Sequence, residues 1–151
     1  MTKSEKLAAR LLMPINTSAI LLLGVYTIVW GFWVGNPFWD VFTYSDLYRQ
    51  MAVMAPEWVW GMVGMLTGGV TCWGVLRPSY YSLLTGAAVV GLFWLMITFL
   101  YFFGAWQSTG GPTALLLTIY GFFIYLNIKV NKSRLGMSRD EANEMLRKKN
   151  Y

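Results

Sequence analysis

The chain reads as an all-α polytopic membrane protein: four transmembrane helices with short interfacial helices, in one domain spanning 1–151. Three observations predict this. Four apolar segments run over about 15–34, 57–76, 80–103 and 112–128, each near the roughly 20 residues that a helix needs to cross a ~30 Å hydrocarbon core. Of the twelve Lys and Arg residues, all but Arg49 fall on one side of those segments. The aromatic residues gather at the segment ends, where amphipathic rings prefer to sit. The chain is 56% hydrophobic and 13% charged, whereas soluble domains carry about 25% charge. Four spans take just over half of the chain and leave no room for a separate soluble domain.

Charge sets the orientation. Lys3, Lys6 and Arg10 precede the first span, Arg77 sits in the 77–79 link, and Lys129, Lys132, Arg134, Arg139, Arg147, Lys148 and Lys149 follow the fourth. Short positive loops stay cytoplasmic, so both termini are expected inside. The 35–56 and 104–111 loops are expected outside. The net charge of +5 then lies at one membrane face, which points to anionic headgroups rather than nucleic acid.

Residues 2–13 carry Lys3, Lys6 and Arg10 at helical spacing, with Leu7, Leu11 and Leu12 on another face. They read either as an amphipathic helix on the inner surface or as an extension of the first span, with a break or kink at Pro14. The first span has a positive start like that of a signal peptide. It is too long, and no A-x-A cleavage site follows it, so it reads as retained. Trp30 and Trp33 close it, Trp39 follows in the loop, Trp58 and Trp60 open the second span, and Tyr101 and Trp106 end the third. These form the expected outer belt, and Trp73, Tyr80 and Tyr81 the inner one. In the 35–56 loop, Ser45-Asp46 is a plausible helix start, with an interfacial helix over about 46–55 before Pro56. That helix could be a plug, a rim or a partner surface, or simply pack across the helix tops.

The second span holds Gly61, Gly64, Gly68, Thr71 and Val75 on one stripe. The third holds Ser82-x-x-x-Gly86 and Ala87-x-x-x-Gly91. Small residues at this spacing let helix backbones approach closely. The stripes either pack the hairpin of spans two and three or serve self-association. The fourth helix is expected to start near Pro112 and run on through Lys129 and Lys132 to about Gly136. Ser138-x-x-Glu141 is a capping box that opens a tail helix over about 139–149.

The chemistry is sparse. There is no histidine and one cysteine, Cys72, which removes the commonest metal ligand and general base and any intramolecular disulfide. No ionisable residue lies well inside a span, where transporters and proton pumps mark their routes. Asp40 and Asp46 are two acids in an aromatic loop, without a catalytic spacing. Thr27, Thr67, Thr71, Thr85, Thr98 and Thr118 carry hydroxyls that can bond back to their own helices. No catalytic, cofactor-binding or metal-binding residues are assigned.

Asn36-Pro37-Phe38-Trp39-Asp40, Tyr44, Ala55-Pro56-Glu57-Trp58-Val59-Trp60-Gly61 and Ser108-Thr109-Gly110-Gly111 together resemble small, uncharacterised four-span membrane proteins of tailed bacteriophages. The resemblance covers most of the chain and implies a bacterial inner (plasma) membrane and a holin-like role. It carries over no functional residue, and the 35–56 loop is longer than the loops of holins. The function expected is non-enzymatic: assembly in the bilayer as a homo-oligomer or with other membrane subunits, including a phage-type lesion or envelope role. The alternatives are an accessory subunit of a photosynthetic or respiratory complex, or a small channel.

Overall fold

A computed structural model describes residues 14–44, 48–76, 79–105 and 109–134; at 14–16, 44, 105 and 131–134 it describes the backbone alone. The expected helices over 2–13 and 139–149, together with Lys3, Lys6, Arg10, Arg77 and Trp106, lie outside the described residues. Among the described residues every regular element is a helix: α1 (Pro14–Val34), α2 (Val41–Tyr44), α3 (Arg49–Met54), α4 (Glu57–Leu76), α5 (Tyr80–Ala105) and α6 (Gly110–Arg134). Four of these are long and apolar enough to cross a membrane, over Thr17–Val34, Glu57–Leu76, Tyr80–Gly104 and Gly110–Val130. The fold is all-α and polytopic.

The boundaries have local causes. Gly35 donates its N–H to the Gly31 carbonyl at 2.9 Å and closes α1. Ala55 is extended, with φ −161° and ψ 154°, as the residue before Pro56 must be. In the link to α5, the Ser79 hydroxyl accepts the Ser82 N–H at 3.1 Å, an N-terminal capping bond. Pro112 lies in the first turn of α6, where a missing N–H costs no helical bond. Gly110 rather than Pro112 is therefore the first helical residue.

The long helices pair as α1 with α4 and α5 with α6. α4 packs against α5, and α1 touches both α5 and α6. The 35–56 loop stands at one end of the bundle, called here the distal end. Ser79, the start of α5 and the Lys129 end of α6 lie at the opposite end, called the basic end. Two core clusters fill the interior. The distal one holds Leu23, Val34, Met51, Trp60, Val90, Phe93, Trp94, Ile97, Tyr101 and Ala114, and the basic-end one holds Ala19, Ile20, Tyr80, Leu83, Ala87, Ile124 and Ile128.

The distribution of residue types is the inverse of a soluble bundle. Threonines 27, 71, 98 and 118 and glycines 61, 64 and 68 are buried, while Leu22, Phe32, Leu66, Leu92, Phe103, Leu116 and Phe123 are exposed. A contiguous apolar surface of this extent marks a membrane-facing or partner-facing exterior. Each long helix is apolar around its whole circumference, the pattern of a membrane span.

Candidate functional site

The interior comes first, because the transmembrane readings depend on it. The glycine stripe of α4 faces α1, not α5. A Cβ built on Gly61 would collide with the Gly35 backbone, one on Gly31 would lie 2.6 Å from the Met65 nitrogen, and one on Gly68 would lie 2.5 Å from the Gly24 carbonyl oxygen. Gly64 packs at 3.0 Å from the Gly31 Cα on the same criterion. The expectation that this stripe packs the second span on the third is corrected for its three glycines, whose partners are Gly24, Gly31 and Gly35 of the first span, while Thr71 of the same stripe does meet Gly86 of the third. Backbones this close gain dispersion contacts that side chains would block.

The remaining small residues divide between two further seams. Gly74 meets the Ser82 carbonyl, where a Cβ would come to 2.6 Å, and Gly86 lies 3.4 Å from the Thr71 Cα. These close α4 on α5. Ala87 is fully buried, and a Cβ on Gly121 would lie 2.9 Å from the Gly91 Cα, which closes α5 on α6. Every stripe residue singled out in the sequence thus touches a helix of its own chain. Gly69 has open space beside it.

The hydroxyls of Thr27, Thr71, Thr98 and Thr118 bond back to their helices and also across them, while that of Thr17 is buried without a hydrogen-bond partner among the described residues. Thr27 donates to the Leu23 carbonyl at 2.7 Å and accepts from the Trp94 indole at 3.0 Å, tying α1 to α5. Thr98 donates to the Trp94 carbonyl at 2.7 Å and Thr118 to that of Ala114 at 2.9 Å, and the two hydroxyls lie 3.1 Å apart. Thr71 donates to the Thr67 carbonyl at 2.8 Å. Such bonds satisfy the hydroxyls where no water competes.

The aromatic residues divide by direction rather than by depth alone. Trp33, Trp39, Trp58, Trp73 and Tyr81 are exposed. Trp60, Tyr80 and Tyr101 lie near span ends but are buried inside the bundle. Trp30 is half-buried and packs edge-on against Phe93 and Trp94, with ring centroids 5.6 Å apart in both pairs. It too is a packing residue. Burying such rings is worth more than wetting one edge of them.

The distal cap is the other candidate. Within the range expected for a helix, about 46–55, the described residues form α3 over 49–54, and a further short helix, α2 over 41–44, precedes it. Residues 45–47, with the anticipated Ser45-Asp46 start, lie outside the described residues. Asp40 starts α2. Its Oδ1 accepts the Thr43 N–H at 3.1 Å, and its Oδ2 accepts the Thr43 hydroxyl. The cap is docked. Met51 is fully buried, and its carbonyl accepts the Trp60 indole N–H at 3.0 Å. Tyr48 stacks on Phe42 and meets Tyr101 edge-on, with centroids 5.3 and 5.8 Å away. Burial raises the Tyr48 phenol above its ordinary value, so it stays neutral. Packing across the helix tops is what the loop does.

Between cap and bundle lies an open cleft of about 440 Å³, lined by Gly35, Asn36, Pro37, Asp40, Phe42, Ala52, Pro56, Glu57 and Trp58. Glu57 Oε1 accepts the Phe42 N–H. The Thr43 hydroxyl and N–H hold Asp40 below its ordinary value of 3.8, and a bond to Glu57 adds to this. A carboxylate with a depressed pKa stabilises the fold above its ordinary value, and the contribution is lost as pH falls through the lowered one. The protection of the 40–44 amides, corrected for the intrinsic exchange rate, is therefore expected to fall on acidification below about pH 3.8. Asp40→Asn should flatten that dependence, and an unchanged acid profile in the variant would refute the assignment. Both acids act here as backbone caps. Asp46 lies outside the described residues, and the described ones contain no group of three or more metal-ligating side chains.

Lys129 is exposed on α6, and Lys132 and Arg134 extend that helix at the basic end. Fold and interior together define a four-helix integral membrane protein. No protein-family model, curated protein or solved structure matches this chain.

Proposed function

We propose that this chain is a non-enzymatic membrane protein that acts by assembling with neighbours in a bacterial inner membrane, both termini in the cytoplasm. The observation that carries this reading is the closed interior. Glycine seams and interhelical hydroxyl bonds occupy the space between the four helices, and the exposed apolar surface is left as the face that meets other molecules. Because the small-residue stripes are engaged within the chain, association proceeds through larger exposed side chains. That favours a subunit packed against different membrane proteins over self-association through glycine stripes. The resemblance to phage membrane proteins supports a second version, a homo-oligomer that permeabilises the membrane.

The native mass of the gently solubilised protein separates the two. A subunit co-purifies with fixed partners and is inert on expression; a lesion former gives a large homo-oligomer and leaks cells. A strictly monomeric species without partners would refute assembly altogether. Orientation is tested in spheroplasts: a protease should cut a tag inserted at 45–47 and spare one at the C-terminus, and the opposite pattern would overturn it.

A further inference from the structure

The cap has an unusual division of polarity. Its largest exposed side chains are apolar: Phe38 is 86% exposed, Val53 80% and Met54 65%. Several of the polar side chains at this end, among the described residues, bond the chain itself. Asn36 Oδ1 accepts the Phe38 N–H at 3.0 Å, Asp40 takes that of Thr43, Glu57 takes that of Phe42, and the Trp60 indole bonds the Met51 carbonyl. Capping bonds of this kind also occur in loops that stand in water, but such a loop gains nothing from an apolar crest. A loop seated at the edge of the hydrocarbon buries such a crest in lipid, and its satisfied backbone groups carry no penalty where water is scarce.

The crest is also continuous with the membrane-facing surface. Trp39 meets Trp33 edge-on with centroids 4.7 Å apart, and Trp33 is an exposed residue in the last turn of α1. Trp58, equally exposed, lies in the first turn of α4. Indoles at span ends mark the headgroup level, and they flank Phe38 on one side and Met54 on the other along the chain. Asp40 and Arg49 remain exposed, which suits a position at the boundary of headgroups and acyl chains rather than in the hydrocarbon.

From this we infer that the described parts of the cap, 36–44 and 48–58, are a lipid-binding element: the exposed Phe38, Val53 and Met54 are inserted into the phospholipid leaflet at the distal end. The partner is the bilayer surface itself, and the cap widens the footprint of the four spans at that leaflet.

Spin labels on single cysteines in a Cys72→Ala background test this, with the full chain in nanodiscs of phosphatidylcholine and phosphatidylglycerol. Phe38→Cys and Val53→Cys report the crest, Phe123→Cys calibrates lipid exposure in mid-span, and Arg49→Cys calibrates aqueous exposure. Met54→Cys replaces Val53→Cys if the latter is not recovered folded. At both crest positions the accessibility ratio of oxygen to a water-soluble nickel chelate should exceed that at position 49 several-fold and approach that at 123. A ratio at the level of position 49 at either crest site overturns the proposal, since the cap then stands in water. Exclusion of both reagents at either site also overturns it, since a protein then covers the crest.

Discussion

Gly61→Ala should destabilise the protein by about 1–3 kcal/mol and loosen α1 from α4, whereas Gly69→Ala on the same helix should be neutral or stabilising by up to about 1 kcal/mol. The two positions lie eight residues apart in α4 and differ in what a methyl group meets. At Gly61 it runs into the Gly35 backbone, which has no side chain that could move aside; at Gly69 it meets open space. Helix propensity favours alanine at both, so any difference measures the seam. Reversible unfolding in mixed micelles reads the effect, and disulfide trapping of a Gly35→Cys and Gly61→Cys pair would be inappropriate because the added side chains break the same contact. Equal stabilities for the two alanine variants would show that the glycine seam does not hold α1 on α4.

Trp94→Ala is expected to cost about 3–5 kcal/mol, the range for emptying a large aromatic site in a core. Trp94 is almost wholly buried and packs against Tyr26, Trp30 and Phe93, with centroids within 5.6 Å. It also joins α5 to α1 through the Thr27 hydroxyl. Trp94→Phe keeps most of the ring contacts and removes the indole donor, and Thr27→Val removes the acceptor. A double-mutant cycle on this pair should give a coupling of about 0.6–1.7 kcal/mol, the range for hydrogen bonds between transmembrane helices. A coupling indistinguishable from zero would mean that ring packing alone carries the α1–α5 contact.

The four spans were legible because a helix that crosses lipid needs a long apolar run and nothing else, and such runs stand out in composition. What each span packs against was not legible for the same reason. Leu22, Leu66 and Leu116 face outward as freely as Leu23 and Leu83 face inward, so apolarity does not distinguish the two faces. The informative signal was the glycines, and it was only half read. Gly61, Gly64 and Gly68 were visible as a stripe, but Gly24, Gly31 and Gly35, spaced seven and four residues apart, were not weighed as its counterpart. Aromatic position reports depth along the membrane normal and says nothing about direction around the helix. Trp60 and Tyr101 therefore sit near a span end and yet point inward. Helix α2 has only four residues and shows no periodicity. Its one signal was Asp40, a capping residue that was considered as one of a pair of acids.

The pairing of α1 with α4 and of α5 with α6 bears on the order of events during synthesis. Each pair is built from neighbours in the chain, so the contacts that close it are local and form early. The first pair is therefore expected to close before the second, which meets it through Gly74, Ser82 and the Trp94 indole. Biogenesis of this bundle is thus expected to join two hairpins, and dividing the chain at the 77–79 link would leave each of the four long helices with its principal partner while parting α3 from α5.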